Sequence, residues 1–301
     1  MFLSRFLSRL RLPRLLNLSQ ISIKIPMWKT FYIKPGEIGI LYNRSDFKKI
    51  LTSGTYTYFG RYWRVETFDL KNPEANIENL ELLLRDNAEE IQEYLLVVRT
   101  DFNQAALVRI GQKWVTVLPN QLRAFWRGFI EVESHIFYLE ESLELPSQFV
   151  QQLRGFNFSG IKKILVKEFE IGLLYVQNNF LRPLEPGEYA FWTIDKEITY
   201  YAMNRLVRNP QFPLEDVLIE RHSDFVTAYC ETVQTIAQQV AIVRYQGRVT
   251  AILPPTSRKL FWQGVDVEII DISNDAKLSP DKVAELVAGL TETVNLSRSC
   301  L

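Results

Sequence analysis

Residues 170–192 can be laid over residues 37–59 at a shift of 133 positions without a gap, and this self-similarity limits the fold more than any other feature of the chain. Glu37-Ile-Gly-Ile-Leu-Tyr42 falls on Glu170-Ile-Gly-Leu-Leu-Tyr175, Phe47–Leu51 on Phe180–Leu184, Gly54-Thr-Tyr56 on Gly187-Glu-Tyr189, and Tyr58-Phe59 on Phe191-Trp192. A further segment, Ala105–Gly111 through Trp114–Pro119 to Phe125-Trp126, lies 67 positions after the first. Another, Val240–Tyr245 through Leu253-Pro254 to Phe261-Trp262, resembles that second segment more than its neighbours. The linking stretches agree, since Asn72-Pro73, Leu82–Arg85 and Tyr94 echo Asn209-Pro210, Val217–Arg221 and Tyr229. The reading is four repeats of about 67 residues in the order A-B-A-B, from duplication of one ancestral pair.

Within each repeat apolar and polar positions alternate, as at Ile171, Leu173 and Tyr175, and the alternation breaks at Asn178-Asn179, Ile110-Gly111 or Gln246-Gly247. Alternation interrupted by Asn or Gly predicts a β-hairpin. A second turn at Ser53-Gly54 or Pro186-Gly187 leads to a third strand ending in an aromatic pair, and a fourth follows at Trp63–Phe68, Ile130–Phe137, Ile198–Met203 and Val265–Ile272. Segments Glu78–Tyr94 and Leu214–Gln239 have helical spacing with carboxylates near their starts, and a short helix is expected over Pro280–Leu290. The fold class is therefore β-rich α+β: four β-meander repeats with connecting helices. Such units cannot bury both faces alone. Pairing them gives domains 31–155 and 160–290, with an extension 1–30 and a tail 291–301.

Chemistry is harder to find. His135 and His222 are the only histidines, Cys230 and Cys300 lie outside any CxxC spacing, and neither GxGxxG nor GxxxxGK[ST] occurs. No catalytic, metal or cofactor residues are assigned, and the histidines are read as packing residues. The cysteine usage suits a reducing compartment. Lys+Arg and Asp+Glu both number 35, which gives no basic surplus for nucleic acid. The recurring aromatics Phe59, Trp126, Trp192 and Trp262 stand out. Adjacent strand residues face opposite ways, so one ring of each pair is expected in the core and the other at a surface where units or partners meet.

The first 36 residues carry seven Lys and Arg and no acid. On a helix Leu3, Phe6, Leu7 and Leu10 share one face, while Arg5 and Arg9 lie elsewhere, with Arg11 and Arg14 following. This basic amphipathic segment suits the surface of an anionic membrane. The same composition also describes an organellar presequence, a disordered tail, or a segment docked on the protein itself.

Gly172-Leu-Leu-Tyr-Val176, its turn, the arginine-containing strand and Leu184-Glu-Pro-Gly-Glu-Tyr-Ala-Phe-Trp192 resemble the repeats that precede the SPFH (prohibitin-homology) domain of bacterial slipins, relatives of stomatin. Leu82–Asp86 with Tyr94–Val98, and Ile252–Pro255 with Leu260–Trp262, resemble the second repeat type of the same proteins. The resemblance covers residues 31–273; after Val267–Asp271 the SPFH domain does not follow. It implies a stand-alone slipin-type module, a non-enzymatic scaffold or adaptor acting by protein–protein contacts. A slipin/SPFH protein or a membrane protease is the implied partner. The place is cytoplasmic, on the inner face of a membrane, or organellar if residues 1–30 are a presequence. Two other classes stay open: a ligand-binding module lined by the aromatics, and an enzyme between the halves drawing on Asp101, Arg123, His135 and Arg258.

Overall fold

The structure, a computed structural model, describes residues 28–273 and, after them, 279–281, 283, 284, 287 and 288. The basic helix expected over Leu3–Leu10 lies outside the described residues. The first group of strands is β1 (Trp28–Ile33), β2 (Glu37–Asn43), β3 (Asp46–Leu51), β4 (Gly54–Phe59) and β5 (Trp63–Asp69), followed by helix α1 (Leu80–Tyr94). The second is β6 (Leu95–Arg99), β7 (Gln104–Ile110), β8 (Lys113–Val117), β9 (Leu122–Trp126) and β10 (Val132–Tyr138), followed by α2 (Ser147–Gln152). The third is β11 (Ile161–Val166), β12 (Glu170–Val176), β13 (Asn179–Leu184), β14 (Gly187–Trp192) and β15 (Ile198–Asn204), followed by α3 (Glu215–Arg221) and α4 (Ser223–Tyr229). The fourth is β16 (Cys230–Gln234), β17 (Gln239–Tyr245), β18 (Arg248–Leu253), β19 (Arg258–Trp262) and β20 (Asp266–Asp271). The protein is β-rich α+β.

Every group folds the same way, but not as a meander. Its second, third and fifth strands make a three-stranded sheet with the second in the middle, as in β3-β2-β5 and β13-β12-β15. Its fourth strand leaves that sheet and pairs with the first in a two-stranded ribbon, as in β1-β4 and β11-β14. In the second and third groups the side chains account for the departure. Ala124, Phe125 and Trp126, like Ala190, Phe191 and Trp192, are all buried, so the strand is apolar on both faces and has to be covered on both. The helical segment expected to reach Gln239 ends at Tyr229, because Cys230–Gln234 pairs with β19.

The turns are set locally. Gln177-Asn178 and Gln246-Gly247 both have positive φ at two successive residues, the geometry that matches hairpin twist. The turn entering each central strand is closed by the side chain three residues on. Glu37 accepts from the Lys34 amide (3.3 Å) and Glu170 from Lys167 (3.2 Å), whereas Gln104 and Gln239 do so for Asp101 (3.2 Å) and Ile236 (3.4 Å). Thr100 and Thr235, buried polar side chains in the second and fourth groups, donate to the carbonyls of Leu118 (2.6 Å) and Pro254 (2.7 Å).

The two rings of the third and fourth aromatic pairs enter different cores. Phe191 packs with Ile164, Val166, Leu174 and Leu184 of its own group, and Trp192 with Ala105, Leu107 and Trp114 of the group before. Phe261 and Trp262 divide likewise, Trp262 resting on Ile171, Leu173 and Tyr175. Trp126 lies with Ile38, Ile40 and Tyr42. Each of the later ribbons thus belongs in space partly to the preceding sheet. Contacts accordingly divide the described residues into one compact unit of 28–99 with 109–113 and 122–134, and another of 100–108, 114–121 and those from 135 on. These units are drawn by contact and do not coincide with the pairs 31–155 and 160–290, which sequence likeness separates. Strand β1 also begins inside the expected extension 1–30.

Candidate functional site

One ring of each aromatic pair is expected in the core and the other at a surface where units or partners meet, and in the three later pairs the tryptophan packs on the preceding group. Trp126, Trp192, Trp262 and the phenylalanine before each are buried, because the ribbon lies between two layers. Phe59 departs from this rule, and the register shows how. The end of each returning strand pairs with the start of its leading strand: Leu95 with Trp126, Ile161 with Trp192, Cys230 with Trp262, and Trp28 with Phe59. In the later ribbons the tryptophan end of this face is packed on a preceding sheet, while Leu165 at the far end of the third is 61% exposed. In the first the face carries Trp28, Tyr32 and Phe59, which are 68%, 63% and 56% exposed. Between them the Thr30 and Thr57 hydroxyls bond each other at 3.0 Å, at the level where the other ribbons place Ala124, Ala190 and Leu260.

One end of this face is a compact aromatic and cationic tip. The Trp28 ring meets Phe59 edge-on, with centroids 5.1 Å apart. After Phe59 the chain turns through Gly60, whose φ of 121° favours glycine, into Arg61 and Tyr62. The Arg44 amide donates to the Tyr62 carbonyl at 2.9 Å, bringing the β2–β3 turn alongside. Both guanidiniums then sit by the Tyr62 ring, Arg61 at 4.6 Å and Arg44 at 4.9 Å from its centroid. Arg61 also donates to the Tyr62 hydroxyl, and this bond holds the phenol below its ordinary value, assisted by the charges of Arg61 and Arg44. Tyr62 is 45% exposed.

Charge is concentrated at this end of the chain. Residues 1–65 hold twelve Lys and Arg against two acids, a net +10, and the remainder carries the balancing −10. Sequence reasoning stopped at residue 36 and missed Arg44, Lys48, Lys49, Arg61 and Arg64. The candidates Leu3, Arg5, Phe6, Leu7, Arg9, Leu10, Arg11 and Arg14 lie outside the described residues.

The residues available for catalysis are engaged locally. Arg123 pairs with Glu74, its Nε at 3.0 Å. Asp101 supplies its carbonyl to the Gln104 amide at 3.1 Å in the turn before β7. His135 lies edge-on to Phe149 at 4.9 Å, as His222 does to Phe180. Arg258 bridges Asp216 and Glu220 of α3 at 2.9 and 3.0 Å. An open cleft of about 740 Å³ on the first group is lined by Tyr42, Arg64, Glu66, Glu78 and Arg85 among others. Burial, then Glu66, pushes the Tyr42 phenol up, while Arg64 lies 4.8 Å from its ring. Among the described residues no group of three His, Cys, Asp or Glu is placed to hold a metal ion. Among the same residues no helix is long and apolar enough to cross a membrane. Cys230 is a free, buried thiol pushed up to about 12 by burial.

Glu215 of α3 accepts the Leu260 amide, and burial raises its carboxyl above the ordinary range despite that bond. The native state thus binds this proton more tightly than the unfolded chain. The resulting stability is full below the unfolded pKa and is lost as pH rises through the native one. Glu215→Gln is therefore expected to gain on the parent in urea midpoint as pH rises above the ordinary carboxylate value of about 4. Parallel midpoint profiles for the two proteins would count against the assignment.

Compared with known proteins, the chain matches no family model and no curated protein sequence.

Proposed function

We propose that the protein is a non-enzymatic scaffold or adaptor, a slipin-like repeat module that acts by protein–protein contacts at the periphery of an anionic membrane. The observation that carries this reading is the use made of the recurring aromatics. Trp126, Trp192 and Trp262 pack on the preceding strand group, while Phe191 and Phe261 fill the core of their own. The three tryptophans are thereby taken up by packing, and what the repeats present is surface. An A-B-A-B duplication of a pair of about 67-residue repeats underlies the architecture. It is supported by Glu against Gln in alternate turns and by the buried threonines of the second and fourth groups.

Residues 1–30 attach the module to the membrane on this reading, on the cytoplasmic side, and a slipin/SPFH protein or membrane protease is the partner class. The test compares the full chain with a variant in which Arg5, Arg9, Arg11 and Arg14 are all Gln, by flotation with vesicles of phosphatidylcholine and phosphatidylglycerol. At about 1 kcal/mol per basic side chain near an anionic surface, the variant should bind at least about 100-fold more weakly. A full chain that stays at the bottom of the gradient removes the membrane part. Affinity purification from native membranes tests the partner, and its absence from the eluate removes the adaptor part.

A further inference from the structure

We propose that the aromatic and cationic tip of the first strand group is itself a membrane-contacting surface, in which Trp28, Phe59 and Tyr62 enter the headgroup layer of an anionic bilayer while Arg44 and Arg61 meet lipid phosphates. The inference rests on the membrane reading above and adds a second, folded contact to the basic segment.

Four observations converge on it. The end of the face that later ribbons bury is exposed here, and Trp28 stands where the others have Leu95, Ile161 and Cys230. Its centre is a pair of hydrogen-bonded threonine hydroxyls, where the other ribbons pair Val97 with Ala124, Lys163 with Ala190 and Thr232 with Leu260. Rings with polar edges beside exposed hydroxyls fit the wet boundary of a bilayer better than another protein's core. Two arginines flank Tyr62, so apolar and cationic groups are presented together. The corresponding turn of the third group, Thr193–Glu197, carries Asp195, Lys196 and Glu197, so that group lacks the combination. Charge decides the occupant. A second copy of the same face would bring together two ends of net +10, whereas an anionic lipid surface complements them. The tip also begins at Trp28, the residue after the basic segment 1–27, so both contacts reach the same stretch of bilayer.

The experiment uses the full chain and vesicles of phosphatidylcholine with phosphatidylglycerol. Trp28→Ser with Phe59→Ser should weaken flotation about tenfold to 100-fold, and Arg44→Gln with Arg61→Gln about tenfold. Circular dichroism and urea midpoints serve as the folding control. Trp28→Phe gives a local signal: the parent's tryptophan emission shifts to the blue on binding, and the variant binds without that shift. Unchanged flotation of both double variants, with binding still lost on replacing Arg5, Arg9, Arg11 and Arg14, overturns the tip and leaves the basic segment standing. Failure of the parent to float overturns both. A concentration-dependent self-association abolished by Trp28→Ser and Phe59→Ser, with flotation unaffected, overturns the lipid assignment in favour of a protein interface.

Discussion

Trp192→Ala is expected to lower the unfolding free energy by about 3–5 kcal/mol, a large share of the roughly 5–15 kcal/mol that holds an ordinary domain together. The indole is fully buried and packs with Ala105, Leu107 and Trp114, together with Leu139, Phe149 and Leu153. Removing it leaves a cavity that none of these neighbours fills by a change of rotamer, because the ribbon is pinned on both faces. Its register counterpart Phe59 is more than half exposed and touches mainly Trp28, so Phe59→Ala should cost no more than about 1 kcal/mol. Urea unfolding of the two variants beside the parent measures the difference. Equal costs would mean that the sheet-to-ribbon junction is not what stabilises the chain. The comparison also bears on the proposed membrane tip, since a residue free of folding duty can be tuned for contact with something else.

The strands of the three-stranded sheets were legible in the sequence because their alternation is local and their turns use residues that tolerate positive φ, such as Asn178 and Gly247. The leading strands of the ribbons were not. Ile161-Lys-Lys-Ile-Leu-Val166 has no clean period of two, and Cys230-Glu-Thr-Val-Gln234 reads as a continuation of the helix before it. They become strands because β14 and β19 offer an edge, a pairing between residues about 30 apart that no short window contains. The same omission produced the expected meander. Phe59 was recognisable as the divergent aromatic, but its exposure depends on which sheet lies behind it. The Tyr62 cluster needed the fold as well, since the Arg44 amide reaches the Tyr62 carbonyl across two turns. The charge split needed only counting past residue 36, and an exactly neutral total concealed it.

Gly172→Ala should be the most damaging addition of a single methyl group to a central strand, at about 1–3 kcal/mol. Gly172 is paired on both sides, with Leu184 in β13 and Ala202 in β15, and the Tyr200 ring lies across it from the diagonal position. A Cβ built there would come within 2.5 Å of Tyr200 Cε2, 3.1 Å of Leu184 Cβ and 3.2 Å of Val166 Cγ2. Leu184 Cβ is fixed by the strand that bears it, so the ring has to move. At the corresponding Gly39 the near atoms are the Ile33 Cδ1 at 2.9 Å and the Val65 Cγ1 at 3.0 Å, ends of aliphatic side chains that shift more easily. Gly39→Ala should therefore cost less. In a Tyr200→Ala background the penalty at Gly172 should fall, giving a coupling of about 0.5–3 kcal/mol in a double-mutant cycle read by urea unfolding. Additivity of the two substitutions would show that the ring does not cover the glycine. The strand would then require glycine for another reason, its approach to Leu184 and Val166.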